Sequence, residues 1–231
     1  MFAAASLTDP VTEIVWRFED ETGIRAELNF GGSNALARQI VVGAPADLFL
    51  SAGESPVELL ISEGVADRSN VQELLGNELV VVSESGSEQI DALEALLGDR
   101  FERVAMVDPG LGPAGRYAQE ALRSAGIWDA LGPKIVLASD VRAALSYVES
   151  GNADAGIVYR TDAATMPELS VVYRVPPEMH SRIRYLGVVP NGSDQSAGAA
   201  DLLRFLTSDD ASDEFGRFGF LPAPIEAGRS R

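Results

Sequence analysis

With 35 acidic against 18 basic side chains in 231 residues, the chain carries a net charge of −17, which leaves no basic face of the kind nucleic-acid binding requires. It has no cysteine and one histidine, His180, so thiol nucleophiles, disulfides, thiolate zinc sites and two-histidine metal sites are excluded. An apolar fraction of 46% supports a real core, while no apolar run approaches the ~18 residues of a membrane span.

Phe2-Ala3-Ala4-Ala5 reads as a buried strand of small residues that delivers Ser6 to a helix start, with Asp9 as N-cap and Pro10 in the first helical position. Val11, Ile14, Val15 and Phe18 then fall at i, i+3, i+4 and i+7, an amphipathic helix closed by Gly23. Residues 24–30 alternate as a strand, Gly31-Gly32-Ser33-Asn34 breaks it, and a helix over 35–42 follows. A short strand at 47–51 and a helix at 55–63 complete the first alternating stretch. Glu78–Ser83 is a strongly apolar strand, 89–97 a helix and 103–107 a strand that stops at Asp108-Pro109-Gly110. Gly112-Pro113-Ala114-Gly115 opens a helix to Ser124, and after a strand at 135–138, Ser139-Asp140 caps a helix with Val141, Ala144, Leu145 and Val148 inside. Strands at 153–159, 171–175 and 185–189 follow, with Gly156 allowing close packing, then helices near 197–207 and 211–217 and a loosely held tail from Pro222 to Arg231. Repeated strand–helix alternation signifies an α/β fold with parallel pairing. If two domains exist, the apolar strands at 79–82 and 186–189 are the places where the chain would leave one and return to it.

Four places share one design, a strand or turn ending in small or polar residues where a helix begins: Ser6, Gly31-Gly32-Ser33-Asn34, Gly112-Pro113-Ala114-Gly115 and Ser139-Asp140-Val141. Each leaves up to four backbone N–H groups unpaired, and in open α/β sheets such ends lie on the ligand-binding edge. Taken singly, each is an ordinary capping sequence. Taken together, they place positive helix ends from two segments around one cleft. In so acidic a chain, an anion would have to be held by such local dipoles. Neither a phosphate loop nor a G-x-G-x-x-G motif is present.

The chain resembles the periplasmic molybdate-binding proteins of ABC import systems. The resemblance runs through Phe2-Ala-Ala-Ala-Ser-Leu7, Leu36-Ala-Arg-Gln-Ile40, Gly43-Ala-Pro-Ala-Asp-Leu-Phe49 and Leu75-Gly-Asn77, then Asp108-Pro109, Pro113-Ala-Gly-Arg-Tyr-Ala118, Asp140-Val-Arg142, Gly156-Ile-Val-Tyr159 and Phe215-Gly-Arg-Phe-Gly-Phe220. It implies a two-lobed, type II solute-binding α/β fold, each lobe a mostly parallel sheet flanked by helices and joined by two crossover strands. Residues 1–80 with 188–231 would form the discontinuous first lobe and 81–187 the inserted second. It also implies that Ser6 and Ser33 bind the oxyanion from one lobe, that Ala114 and Val141 bind it through backbone N–H groups from the other, and that the Tyr159 phenol completes the shell. Molybdenum would be present only within the bound oxyanion.

The implied function is capture of molybdate, and of tungstate with it, and delivery to an ABC permease by a monomeric, periplasmic or membrane-associated extracellular protein that uses no cofactor and is not an enzyme. A binder of sulfate or another tetrahedral oxyanion is the alternative. The family usually has a signal segment and a fuller first strand before the phenylalanine; here Met1 abuts Phe2, so a native N-terminal piece is expected to be missing. Gly31-Gly32 stands where serine or alanine is common, which would loosen the loop carrying Ser33. Among the remaining polar residues, Asp47 and Asp108 read as turn or cap residues, with a metal-dependent hydrolase built on them as a competing function. Arg38, Arg116 and Arg142 read as surface ion pairs, Tyr117 and Tyr147 as core or interface residues, and His180 as a surface side chain.

Overall fold

The computed structural model describes residues 1–223. In chain order the strands are β1 (Phe2–Ala4), β2 (Asn29–Gly31), β3 (Phe49–Ser51), β4 (Gln72–Gly76), β5 (Leu79–Glu84), β6 (Val104–Val107), β7 (Ile135–Ala138), β8 (Ala155–Tyr159), β9 (Leu169–Arg174), β10 (Arg184–Val188) and β11 (Leu221–Pro222). The helices are α1 (Thr8–Thr22), α2 (Ser33–Val41), α3 (Glu54–Ser62), α4 (Pro113–Ser124), α5 (Trp128–Leu131), α6 (Val141–Glu149), α7 (Arg160–Ala163), α8 (Ser196–Leu206) and α9 (Asp209–Arg217).

The strands form two sheets, one of six strands in the order β11-β4-β10-β3-β1-β2 and one of five in the order β7-β6-β8-β5-β9. The α/β layering expected from the alternation is present, and within it each sheet is mixed. Pairings β1–β2, β1–β3, β6–β7 and β6–β8 are parallel, as strand–helix–strand units require, whereas β5 and β10 pair antiparallel with both of their neighbours. These two are the first strands reached after each crossing: the chain passes from the first sheet to the second over Asn77 and Glu78, and returns between Arg174 and Arg184.

Helices cover both faces of each sheet because the strands present apolar side chains to both. Phe49 packs with Leu36, Ile40 and Leu60 of α2 and α3, while Leu48 and Leu50 on either side of it join the core of Val11, Ile14 and Phe18 from α1. In the second sheet Val80 and Val82 meet Leu145 and Val148 of α6, and Leu79 and Val81 join the core with Ala118 and Leu122 of α4. A strand buried on both faces reads as an unbroken apolar run, which is why β5 is so legible.

Several elements differ from expectation. Of residues 24–30 only Asn29 and Phe30 join the ladder, which runs on to Gly31, because the partner strand begins at Phe2, which pairs with Asn29. β4 went unread: Leu74 and Leu75 are adjacent and both buried between covered faces, so no alternation marks the strand. The helix expected at 89–97 is a 3-10 turn over Leu93–Leu97, whose buried Leu93 and Leu96 are spaced by its own three-residue period. The short α5 was also missed. Pro222, expected to begin a loose tail, pairs with Leu75 in β11; the rest of that expectation falls on residues 224–231, outside the described residues.

Gly156 does permit close packing, since a Cβ there would lie 2.9 Å from Val148 Cγ2 and 3.4 Å from Val82 Cγ2. Gly156→Val should therefore push α6 off the sheet and destabilise the protein by ~1–3 kcal/mol, read as a lower denaturant midpoint. A wild-type midpoint would show that α6 moves away freely.

Candidate functional site

Four helix starts and one strand end meet between the sheets. Ser6 lies in a 3-10 turn, Ala5–Leu7, that joins β1 to α1. Ser33 is the first residue of α2, Ala114 the second of α4, Val141 the first of α6, and Tyr159 the last of β8. All five line one cavity, together with the backbone at Gly32, Ala52 and Gly112. It leaves about 20 Å³ for the centre of a water-sized sphere. Treated as a ball and extended by the sphere's own ~1.4 Å, that space reaches about 3 Å from its middle, room for one small tetrahedral ion.

The backbone explains which groups face inward. A helix leaves its first amides without partners. Here the Ala35 amide is taken by the Leu111 carbonyl at 3.2 Å, that of Leu36 by Gly32 at 3.0 Å, and that of Gly115 by Gly112 at 3.2 Å. Asp140 caps α6 by accepting from the amides of Arg142 and Ala143, each at 3.0 Å. Ser33, Ala114 and Val141 lie in the first turns of α2, α4 and α6, where the helix itself supplies no partner for their N–H groups. With the positive ends of α2, α4 and α6 behind them, they make a site for negative charge.

The hydroxyls have the same polarity. Ala52 donates its N–H to Ser33 Oγ at 3.1 Å, so the Ser33 hydrogen is free for the cavity. Ser6 Oγ lies 2.9 Å from the Tyr185 hydroxyl. The Tyr159 hydroxyl gives its one hydrogen to the Ala52 carbonyl at 3.3 Å from the opposite sheet; burial holds its pKa well above the ordinary phenol value, so it stays protonated and reaches an anion by turning that hydrogen away from Ala52. Asp140 is the only charged residue on the described wall, and its second oxygen already accepts from the Ser139 hydroxyl at 3.0 Å. No lysine or arginine lines the cavity.

The two sides of the cavity touch directly. Besides the Ala35–Leu111 bond, Asn34 Nδ2 donates to the Pro109 carbonyl at 3.2 Å and an Arg38 guanidinium N–H to that of Gly110 at 2.9 Å. A Cβ on Gly32 would sit 2.6 Å from the Leu111 oxygen and 2.8 Å from that of Ser139. This glycine thus lets two backbones meet, rather than loosening the Ser33 loop as expected. Arg38 holds a carbonyl instead of a surface acid.

Other expectations also change. Asp9 does not cap α1, which starts one residue earlier at Thr8 with no side-chain cap; it pairs with Arg142 across the cleft instead. Pro10 is tolerated in the first turn because its missing N–H would have had no intrahelical partner. His180 is half-buried, with its ring centre 5.9 Å from that of Tyr117, and its Nδ1 meets the Ser181 carbonyl. Asp47 accepts from Ser193 at 2.7 Å and Asp108 from the Gly110 amide at 2.7 Å, the latter a turn contact as expected. No group of three or more metal-ligating side chains exists among the described residues, which leaves the hydrolase reading without a centre. Nor does any described helix have the length and apolarity to cross a membrane.

A family model for bacterial extracellular solute-binding proteins matches residues 1–221. The chain belongs to that family. It is 39% identical to the molybdate-binding protein ModA of Escherichia coli (strain K12) over 227 residues, covering 95% of this chain and 87% of the relative. It is likewise 39% identical to YvgL of Bacillus subtilis (strain 168), provisionally named an ABC transporter substrate-binding lipoprotein, over 94% of this chain and 84% of that one. The periplasmic molybdate-binding protein of Azotobacter vinelandii shares the fold, with a TM-score of 0.84 at 24% identity over 96% of this chain and 99% of that one. The family and these relatives are solute-binding proteins, not enzymes.

Sequence reasoning passed over the charge cluster beside this cavity. Arg142, which follows Val141, pairs with Asp9, places its Nε 3.1 Å from Asp162 Oδ1, and donates to Thr165 at 3.1 Å. Asp162 is fully buried, and burial raises its pKa to about 7 despite the Arg142 charge, with Asp9 and Asp140 adding repulsion. A raised folded pKa means that the folded state keeps a proton which the unfolded chain releases near the ordinary value of 3.8. The resulting stabilisation is full at low pH and is lost as pH climbs toward about 7. Wild type should therefore lose stability relative to Asp162→Asn across that window, read as denaturant midpoints over a pH series. A constant difference would show that Asp162 is ionised throughout.

Proposed function

We propose that this chain captures molybdate, and tungstate with it, in the cavity between its sheets and passes it to an ABC permease outside the cytoplasm. The observation that carries this reading is the convergence of Ser6, Ser33, Ala114, Val141 and Tyr159, neutral donors from both sheets, on one ion-sized space without a cationic side chain. The names of the E. coli and B. subtilis relatives support the ligand and the transport role. All five donors come from one chain, so the site is complete in a monomer.

In this reading residues 1–80 with 188–231 act as one lobe and 81–187 as the other, a division supported to within several residues by sheet membership. The anion completes the contact between lobes: its oxygens take hydrogens from both sides, and the bonds from Asn34, Ala35 and Arg38 to the 109–111 turn close the rim. Neutral donors suit a carrier. They stabilise charge through aligned dipoles and hydrogen bonds of roughly 1.5–3 kcal/mol each to a charged acceptor, and opening the lobes returns both sides to water with no counter-ion left behind.

Calorimetric titration with molybdate, tungstate, sulfate and phosphate tests the reading. Heat with the first two supports it; their failure to bind overturns it, and stronger binding of sulfate transfers the site to that ion. Ser6→Ala and Ser33→Ala should each weaken molybdate binding by ~1–3 kcal/mol, the cost of an anion oxygen left without its partner. Gly32→Ala should weaken it as well while leaving the ligand-free melting temperature near wild type, because the added methyl meets the Leu111 and Ser139 carbonyls only where the lobes touch.

A further inference from the structure

We propose that Asn77 and Tyr185, neither of which lines the cavity, lock the Ser6 hydroxyl as a donor and so make the site reject oxyanions that carry a proton. The inference rests on the oxyanion reading of the cavity and names two residues that set its selectivity.

The direction of each hydrogen bond follows from groups that can act in only one way. The Glu78 backbone N–H donates to Asn77 Oδ1 at 2.8 Å, which fixes that atom as the carbonyl oxygen. The amide nitrogen therefore faces the other way, 2.8 Å from Thr161 Oγ1 and 3.1 Å from the Tyr185 hydroxyl, and donates to both. Tyr185 is 1% exposed, and its hydroxyl has one hydrogen to place. With Asn77 donating to it, the acceptor within reach is Ser6 Oγ at 2.9 Å. A buried hydroxyl left unpaired costs ~1–3 kcal/mol, so the hydrogen lies on the Ser6 side. Ser6 Oγ then receives from Tyr185, and its own hydrogen points at the cavity. The chain of donation runs Asn77, Tyr185, Ser6, anion.

Polarity at Ser33 is set independently by the Ala52 N–H. Asp140 accepts from two amides and a hydroxyl, and Tyr159 turns its one hydrogen from the Ala52 carbonyl to the anion when the anion binds. At the Ser6 and Ser33 hydroxyls a fully deprotonated dianion meets hydrogens alone. A hydrogen that hydrogen phosphate turned toward Ser6 would meet the Ser6 hydrogen, and rotating Ser6 to receive it would strand the hydrogen of Tyr185. Asn77 is placed to couple this to the lobes. It occupies the crossing between β4 and β5, and bonds Tyr185 of one sheet and Thr161 of α7, two residues beyond the last strand residue Tyr159 of the other. The Tyr185 ring is held between Tyr159 and Phe220, with centroids 6.0 and 5.3 Å away, so its hydroxyl has little freedom to seek another partner.

Two variants of the full chain test the relay against molybdate and phosphate at mildly alkaline pH. In Asn77→Asp the new carboxylate accepts the Tyr185 hydrogen, Ser6 must donate to Tyr185, and only a Ser6 lone pair faces the cavity. Molybdate affinity should fall about tenfold or more, with the phosphate-to-molybdate affinity ratio rising by about tenfold. Tyr185→Phe keeps the ring and frees Ser6 to rotate, so molybdate should weaken by about threefold to tenfold and the ratio should move the same way by less. Circular dichroism and melting curves establish that each variant is folded. A folded Tyr185→Phe that binds molybdate as wild type does, or that weakens both anions in equal proportion, overturns the relay and leaves the tyrosine a packing residue. Wild type that binds neither anion overturns the oxyanion reading itself, a result distinct from either variant outcome.

Discussion

Amides at a helix start have no partner within the helix, and the two sheets bring three such starts to one small cavity. Much of the architecture serves that arrangement. β1, β6 and β8 end at it, Gly112 and Pro113 turn the chain into α4 there, and Asp140 removes two amides of α6 from play while leaving that of Val141. Unpaired buried N–H groups are costly, so a cavity lined by them has a standing preference for an acceptor. In a chain of net charge −17 that preference is local, carried by dipoles whose reach is about one helical turn.

The hydroxyls add direction to this field. Ser33 and Tyr159 each touch the Ala52 backbone, one receiving from its N–H and the other giving to its carbonyl, so a single peptide neighbour ties residues from both sheets into the wall. Behind them, cationic side chains are kept out of the cavity and put to use beside it. Arg142 lies next to Val141 yet turns to Asp9 and Asp162, bridging the start of α1 to the turn after β8. The bridge neutralises a guanidinium that would otherwise be available to an anion, while the cavity keeps neutral donors alone.

Legibility from sequence varied with the physics of each element. Helix α1 was readable because Val11, Ile14, Val15 and Phe18 repeat with the period of a helix packed on one side, and all four are buried. The helix starts at Pro113 and Val141 were readable because capping and breaking residues are local chemistry, and that of α2 was placed at Ala35, two residues beyond its start at Ser33. β4 was not, since adjacent leucines facing opposite covered layers carry no period. The meaning of Gly32 was hidden as well: the oxygens that exclude a side chain there belong to Leu111 and Ser139, far away in the chain. Asn77 was visible only as the end of a string shared with a known family and Tyr185 only as a strand residue, because nothing local reports a hydrogen bond across 108 positions.

By itself the sequence determined what the chain could not be and which groups it had to offer. Charge balance, the absence of cysteine and a lone histidine removed whole classes of chemistry. The spacing of apolar and capping residues laid out an α/β chain with several open helix starts, because those signals depend on neighbours within a turn or two. Tertiary structure alone decided that the starts meet, how large a space they enclose, which amides stay free and which way each hydroxyl points. Those properties depend on groups brought together from both sheets, and a hydrogen bond takes its direction from partners that only folding supplies.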